Sequence, residues 1–160
     1  MEGISLSLLI VVFIGAFIPL VEYLIAVPVG VILMDQPVIP VVMVAILGNT
    51  IGVILLVLLG EKIRTWLINR RKRQGLPEKE NKRQERTKRY LEKYGMPGVG
   101  ILGSFLLSSH LSAATAVALG VSKGYAIFWT VIGVVIWSIV FGIASVYASH
   151  WFEPLLGNVD

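Results

Sequence analysis

Pro19-Leu20-Val21-Glu22-Tyr23-Leu24-Ile25-Ala26-Val27-Pro28-Val29-Gly30 is the stretch on which the reading of this chain turns. Glu22 is the sole formally charged residue in the 31 positions from Ile4 to Met34, a run that otherwise has the character of membrane core. A charge at bilayer depth costs on the order of 3 kcal/mol or more unless a partner, a proton or water relieves it, so it is read as functional by default. The two prolines and Gly30 work against an unbroken helix. Broken backbone at that depth is tolerated only when it is buried in protein or lines a wet cavity.

As a single helix, Ile4 to Met34 would be about 46 Å long, against roughly 30 Å of hydrocarbon. That is too long for one comfortable span and too short for two with a turn, so it predicts a broken or re-entrant hairpin. Pro37 to Leu59 is an uncharged ordinary span, ending at Gly60-Glu61-Lys62. Met96 to Ser122 holds no Asp, Glu, Lys or Arg, yet Gly98, Gly100, Gly103 and the cluster Ser108-Ser109-His110-Leu111-Ser112 make it weakly apolar. Gly124 to Ser149 is a second clean span, with Tyr147 and Trp151 suited to an interfacial belt.

The order is therefore awkward, clean, loop, awkward, clean. It predicts an all-α integral membrane protein: an inverted repeat of a re-entrant or broken hairpin plus a transmembrane helix, joined by a basic cytoplasmic linker helix. Within one membrane domain, 1–60 is the first repeat, 61–95 the basic loop and 96–160 the second repeat. Glu22 before Gly30 and span two is matched by His110 before Gly120 and span four. This topology puts both termini outside, whereas four plain spans would put both inside.

The chain is 56% hydrophobic and 15% charged, with a mean hydropathy of +0.80, a balance outside the soluble globular range. It has no cysteine, which excludes disulfides and thiolate metal sites. Met-Glu-Gly lacks the basic region of a signal peptide, so the first segment is read as retained. Of 14 Lys and Arg, 13 lie between Lys62 and Lys93. The positive-inside rule makes that loop cytoplasmic, in the inner membrane of a cell. The charge is a topology signal, and without a base-reading fold nucleic acid is not an expected partner.

Inside the loop, Arg70-Arg71-Lys72-Arg73 continues span two, Gly75 and Pro77 break it, and Pro77 is placed to start a linker helix. Glu78/Lys82 and Glu85/Arg89 are i,i+4 pairs, and Gly95 with Pro97 ends the helix. The loop is a solvated connector or, more sharply, a reader of anionic headgroups through Arg70, Arg71 and Arg73.

Glu22 leads the candidate site residues: desolvation of a carboxylate favours its protonated form and a nearby cation its ionised form. The bland alternative is a helix-ending carboxylate at a water interface. His110 with Ser109 is second, as a proton relay or a partner to Glu22 across the repeat, against a neutral histidine bonded to a hydroxyl. Asn49, within Gly48-Asn49-Thr50-Ile51-Gly52, is an amide inside a span where glycine spacing favours close helix approach. Asp35 beside Pro37 marks a turn. Two candidate ligands without a third argue against a metal, and no cofactor is expected. There is no Walker loop, GxSxG, HExxH or cysteine nucleophile. An enzyme is not expected; an intramembrane hydrolase would need Ser108 or Ser109 activated by His110.

Pro19-x-x-Glu22 with Pro28-x-Gly30, then Gly48-Asn49, then Lys93-Tyr94-Gly95 before a glycine-rich segment, resembles the putative small multidrug export protein family. The resemblance runs from about Phe13 to Tyr147. That family is itself distantly similar to DedA-type membrane proteins, whose paired re-entrant hairpins are associated with lipid-phosphate flipping and proton-dependent transport. The resemblance implies a small transporter; the residues themselves offer Glu22, His110, Asn49 and Ser109 as substrate- or proton-binding groups lining one polar cavity, and so few helices call for a homo-oligomer among membrane lipids. The chain departs from the family pattern at Leu24, where an arginine is usual, and at Phe105 to Ser112, where a P-x-P-G-T-G-like stretch is usual. The competing reading is a non-transporting protein that organises lipids or partners through its basic loop.

Overall fold

The computed structural model describes residues 4–73 and 82–156, and every regular element among them is helical. In chain order these are α1 (Leu6–Phe17), α2 (Glu22–Pro28) running into a π segment (Val29–Leu33), α3 (Val38–Arg73), α4 (Lys82–Gly103) running into a second π segment (Ser104–Ser108), α5 (Ser109–Ala118) and α6 (Lys123–Leu156). The linker start expected at Pro77 lies outside the described residues, as do the side chains of Glu78, Lys82 and Glu85 from the two ion pairs expected there.

Proline chemistry sets most of the breaks. Ile18 precedes Pro19 and is driven to extended backbone (φ −75°, ψ 124°), which ends α1. Pro28 has no N–H to donate, and the helical ladder widens into the π segment directly after it. Thus the expected second break near Gly30 is a widened turn, and the chain reverses instead at Leu20 and Asp35, both left-handed. Gly95 (φ 66°, ψ −171°) interrupts α4 where the sequence places a cap, two residues before Pro97.

Contacts divide the chain into two compact units, Met1–Gly52 with Val134–Asp160, and Val53–Gly133. Each contains one hairpin. In the first unit, the Ser5 N–H donates to Gln36 Oε1 at 2.8 Å, Gly30 packs on Val12, and Gly15 lies beside Ala26. Those pairings converge on the turn at residues 18–21, so α1 and α2 with its π segment are antiparallel arms of twelve residues each. At about 1.5 Å per residue each arm is roughly 18 Å long, well short of a bilayer core. α3 crosses both arms: Val41 lies against Gly30 and Gly48 against the main chain of Phe13. The C-terminal part of α6 closes this unit through Val134, Trp137 and Phe141, packed with Tyr23, Ala26, Val27 and Ala45.

The second unit repeats these relationships with different residues. Ser112 Oγ donates to the Gly103 carbonyl at 3.1 Å, and Met96 and Val99 pack with Ala116, so the chain folds back between residues 103 and 112. α6 crosses this hairpin with Ala126 packed in the same cluster as Ala116, and with Gly133 against the Gly100 carbonyl. The contacts of Phe13 with Gly48, Gly30 with Val41 and Gly15 with Ala26 in the first unit thus resemble those of Gly100 with Gly133, Ala116 with Ala126 and Gly103 with Ser112 in the second. Left-handed backbone occurs at Glu22 and Asp35 in the first unit and at Ser108 and Gly120 in the second.

Val38–Gly60, Leu91–Ala118 and Lys123–Ser149 are long and apolar enough to cross a membrane. α3 shows why such a helix suits lipid: Val41, Ala45, Asn49, Val53 and Val57 are buried, while Ile39, Met43, Leu47, Ile51 and Leu55 are exposed. Water would penalise that outward face, but a bilayer does not. This is an all-helical membrane protein.

Candidate functional site

In the first unit, Glu22 opens α2 directly after the hairpin turn and is 1% exposed. Its φ of 50° is left-handed, a conformation that costs a side-chain-bearing residue about 1 kcal/mol and that surrounding structure must enforce. The turn therefore drives the carboxylate inward. Tyr23 is fully buried beside it, its ring meeting Phe141 edge-on at 6.4 Å. Asn49 is also fully buried, on the face of α3 that carries Val41 and Ala45 into the same core. It stands at the middle of Val38–Gly60, next to the glycine that lets α3 touch Phe13.

In the second unit, Ser108 has φ 101° and ψ 127°, and its hydroxyl accepts from the Leu111 N–H at 3.5 Å as α5 begins. Ser109 and His110 follow, both fully buried, with Ser109 Oγ 3.3 Å from His110 Nδ1. Either group can donate, according to the imidazole tautomer. Ser104 donates to the Gly100 carbonyl and Ser112 to Gly103, so those two hydroxyls bind backbone. A dyad in which serine and histidine share one hydrogen bond can pass a proton.

The sequence candidates thus fall into two sets: Glu22 with Asn49 in the first unit, and Ser109 with His110 in the second. Of the headgroup candidates, Arg70 and Arg73 are exposed, and the Arg71 side chain lies outside those described. The Arg70 guanidinium stacks over Trp66 at 5.4 Å and Lys93 Nζ over Tyr94 at 5.1 Å. Each is a cation paired with an exposed aromatic, the pairing found at membrane–water boundaries. The Lys88–Glu92 pair at 3.9 Å is exposed on both sides and contributes little.

Of the buried hydroxyls on α6, Ser145 bonds the Phe141 carbonyl and two others stand apart from it. Thr130 in the second unit and Ser138 in the first are both fully buried, and neither hydroxyl has a hydrogen-bond partner. The signal was available: with Ala126 and Val134 they form an i,i+4 stripe inside an otherwise clean span. An apolar groove of about 250 Å³ lies elsewhere in the first unit, between Val38 and Val42 of α3 and Ile139 and Ile143 of α6. None of the candidate site residues lines it.

A family model described as "Putative small multi-drug export protein" matches residues 22–140. The match begins at Glu22, just after the first hairpin turn, and takes in Asn49, the second hairpin turn with Ser109 and His110, and Ser138. No curated protein and no solved structure matches the chain.

Proposed function

The chain belongs to the putative small multi-drug export protein family, and on that premise we propose that it exports amphiphilic, drug-like molecules in exchange for protons, with Glu22 as the responsive group. The family description points to a transporter rather than an enzyme. The observation that carries the reading is the placement of Glu22, a buried carboxylate held at a left-handed turn between two arms too short to cross a bilayer. Such a carboxylate can hold either a proton or a cationic ligand, which is the exchange a coupled exporter requires.

In this reading both hairpins are re-entrant and the units form an inverted repeat, supported by the recurrence of the same contacts in each. Asn49 offers an amide to the ligand in the first unit, and Ser109 with His110 relays protons in the second. The basic segment faces the cytoplasm from the inner membrane, with Arg70, Arg71 and Arg73 on anionic headgroups, and two or more copies assemble to enclose a pathway. A buried carboxylate repels phosphate, which favours cationic amphiphiles over lipid phosphates as cargo.

Purified protein reconstituted with a pH gradient tests this. The wild type should move a fluorescent lipophilic cation in a pH-dependent manner, and Glu22→Gln should remove the dependence. A Glu22→Gln protein with unchanged flux would sink the proposal. The exposed Arg70–Trp66 and Lys93–Tyr94 pairs favour a second reading, a scaffold that organises anionic lipid. A scaffold would keep its phenotype in Glu22→Gln and lose it when those cations are removed.

A further inference from the structure

We propose that Ser138 of α6 lines the ligand site of the first unit and selects ammonium ligands that carry N–H donors over quaternary ones. Ser138 is 0% exposed and its Oγ has no hydrogen-bond partner. A buried helical serine ordinarily satisfies itself on a carbonyl of the preceding turn. Ser104 does so on Gly100 and Ser145 on Phe141. Ser138 does not, and leaving such a hydroxyl buried and unmatched costs about 1–3 kcal/mol. A group that a fold keeps at that cost is a candidate for a partner that arrives later.

Its direction follows from its neighbours on α6. Val134 lies one turn before it and Phe141 just under one turn after, and both pack into the core that contains Tyr23, Ala26 and Val27 of α2. Residues three and four apart share a helix face, so Ser138 enters that core as well. Glu22 lies one turn from Ala26 on α2, and Ala26 belongs to that core.

On the inverted-repeat reading, packing does not call for a hydroxyl here. The position corresponding to Ser138 in the second unit is Val53, which is fully buried and packs with Ala113. The unit with the buried carboxylate carries serine where the other carries valine. A carboxylate and a hydroxyl together accept two N–H bonds from a primary ammonium, whereas a trimethylammonium group offers none. Sites built to hydrogen-bond a group discriminate strongly against analogues that lack it.

This inference rests on the export reading, and its test separates the two. Dodecylamine and dodecyltrimethylammonium share a tail and a cationic head, of which only the amine carries N–H donors, and protein-free liposomes give the passive amine flux to subtract. In proteoliposomes with a pH gradient, Ser138→Ala should lower the amine-to-quaternary flux ratio about tenfold, the loss of one charge-assisted bond. If Glu22→Gln abolishes flux while Ser138→Ala leaves the ratio unchanged, export stands and the role of Ser138 is overturned. Because the chain has no cysteine, Ser138→Cys supplies a single thiol and a readout independent of transport. Dodecylamine should slow its N-ethylmaleimide labelling at least fivefold more than the quaternary compound does. Selective protection without flux from any probe would keep the site and defeat export, whereas equal protection, or no labelling at all, would overturn the inference.

Discussion

Gly133 of α6 lies directly against the carbonyl of Gly100, and a Cβ at Gly133 would collide with that main chain. Gly48 of α3 meets the main chain of Phe13 in the same way in the first unit. Backbone cannot rotate aside as a side chain can, so these glycines fix where each long helix crosses its hairpin. In a bilayer, where lipid is as apolar as the core, such close approach is a main source of helix association.

Gly133→Ala and Gly48→Ala should therefore destabilise by about 1–3 kcal/mol each through overpacking. Gly60 and Gly124 have open space where a Cβ would sit. Gly60→Ala, inside α3, should be neutral or stabilise by up to about 1 kcal/mol through helix propensity. Thermal unfolding in detergent, followed by far-ultraviolet circular dichroism, separates the two classes.

Glu22 is held left-handed, a conformation that asparagine tolerates better than glutamine. Glu22→Asn should match or exceed Glu22→Gln in thermal stability by about 0.5–1 kcal/mol, while both lose pH-dependent flux. A glutamate kept there for structure alone would give a Glu22→Asn protein with normal flux.

In the second hairpin the bond from Ser112 to the Gly103 carbonyl ties the two arms across the turn. Ser112→Ala should cost about 1 kcal/mol. Limited proteolysis should then cut the turn near Ser108 sooner than in wild type. Ser149, whose exposed hydroxyl bonds Val146, serves as the control, and its alanine variant should behave as wild type.

The turns were legible in the sequence because proline and glycine act locally. Pro19, Asp35 beside Pro37, and Gly95 with Pro97 each mark a place where the chain leaves the helix. Asn49 was legible as an amide in an apolar span. The left-handed Ser108 was not, because nothing in Phe105-Leu106-Leu107-Ser108 forbids a helix and the reversal is imposed by packing. Ser138 was hidden for a related reason: serine is common in spans, and only the failure of its hydroxyl to reach a carbonyl sets it apart. The contacts of Gly48 with Phe13 and of Gly133 with Gly100 were not legible, since they rest on which glycine meets which main chain rather than on residue types.

Gln36 closes the open end of the first hairpin, and this role gives the last prediction. Its Oε1 accepts the Ser5 N–H at 2.8 Å and its Nε2 donates to the Met34 carbonyl at 3.1 Å. The first bond satisfies an amide at the start of α1, where no earlier turn provides an acceptor and Ser5 makes no side-chain cap. The second holds the chain as it leaves the π segment for α3. Gln36→Leu keeps the size and removes both bonds, so α1 should fray from its N-terminus while the core at Val12, Gly30 and Val41 persists. Hydrogen exchange should show the amides of Leu6 to Leu9 opening about tenfold faster, the loss of roughly one net hydrogen bond, with Phe13 to Phe17 unchanged. Uniform acceleration along α1 would mean instead that Gln36 holds the whole hairpin in place.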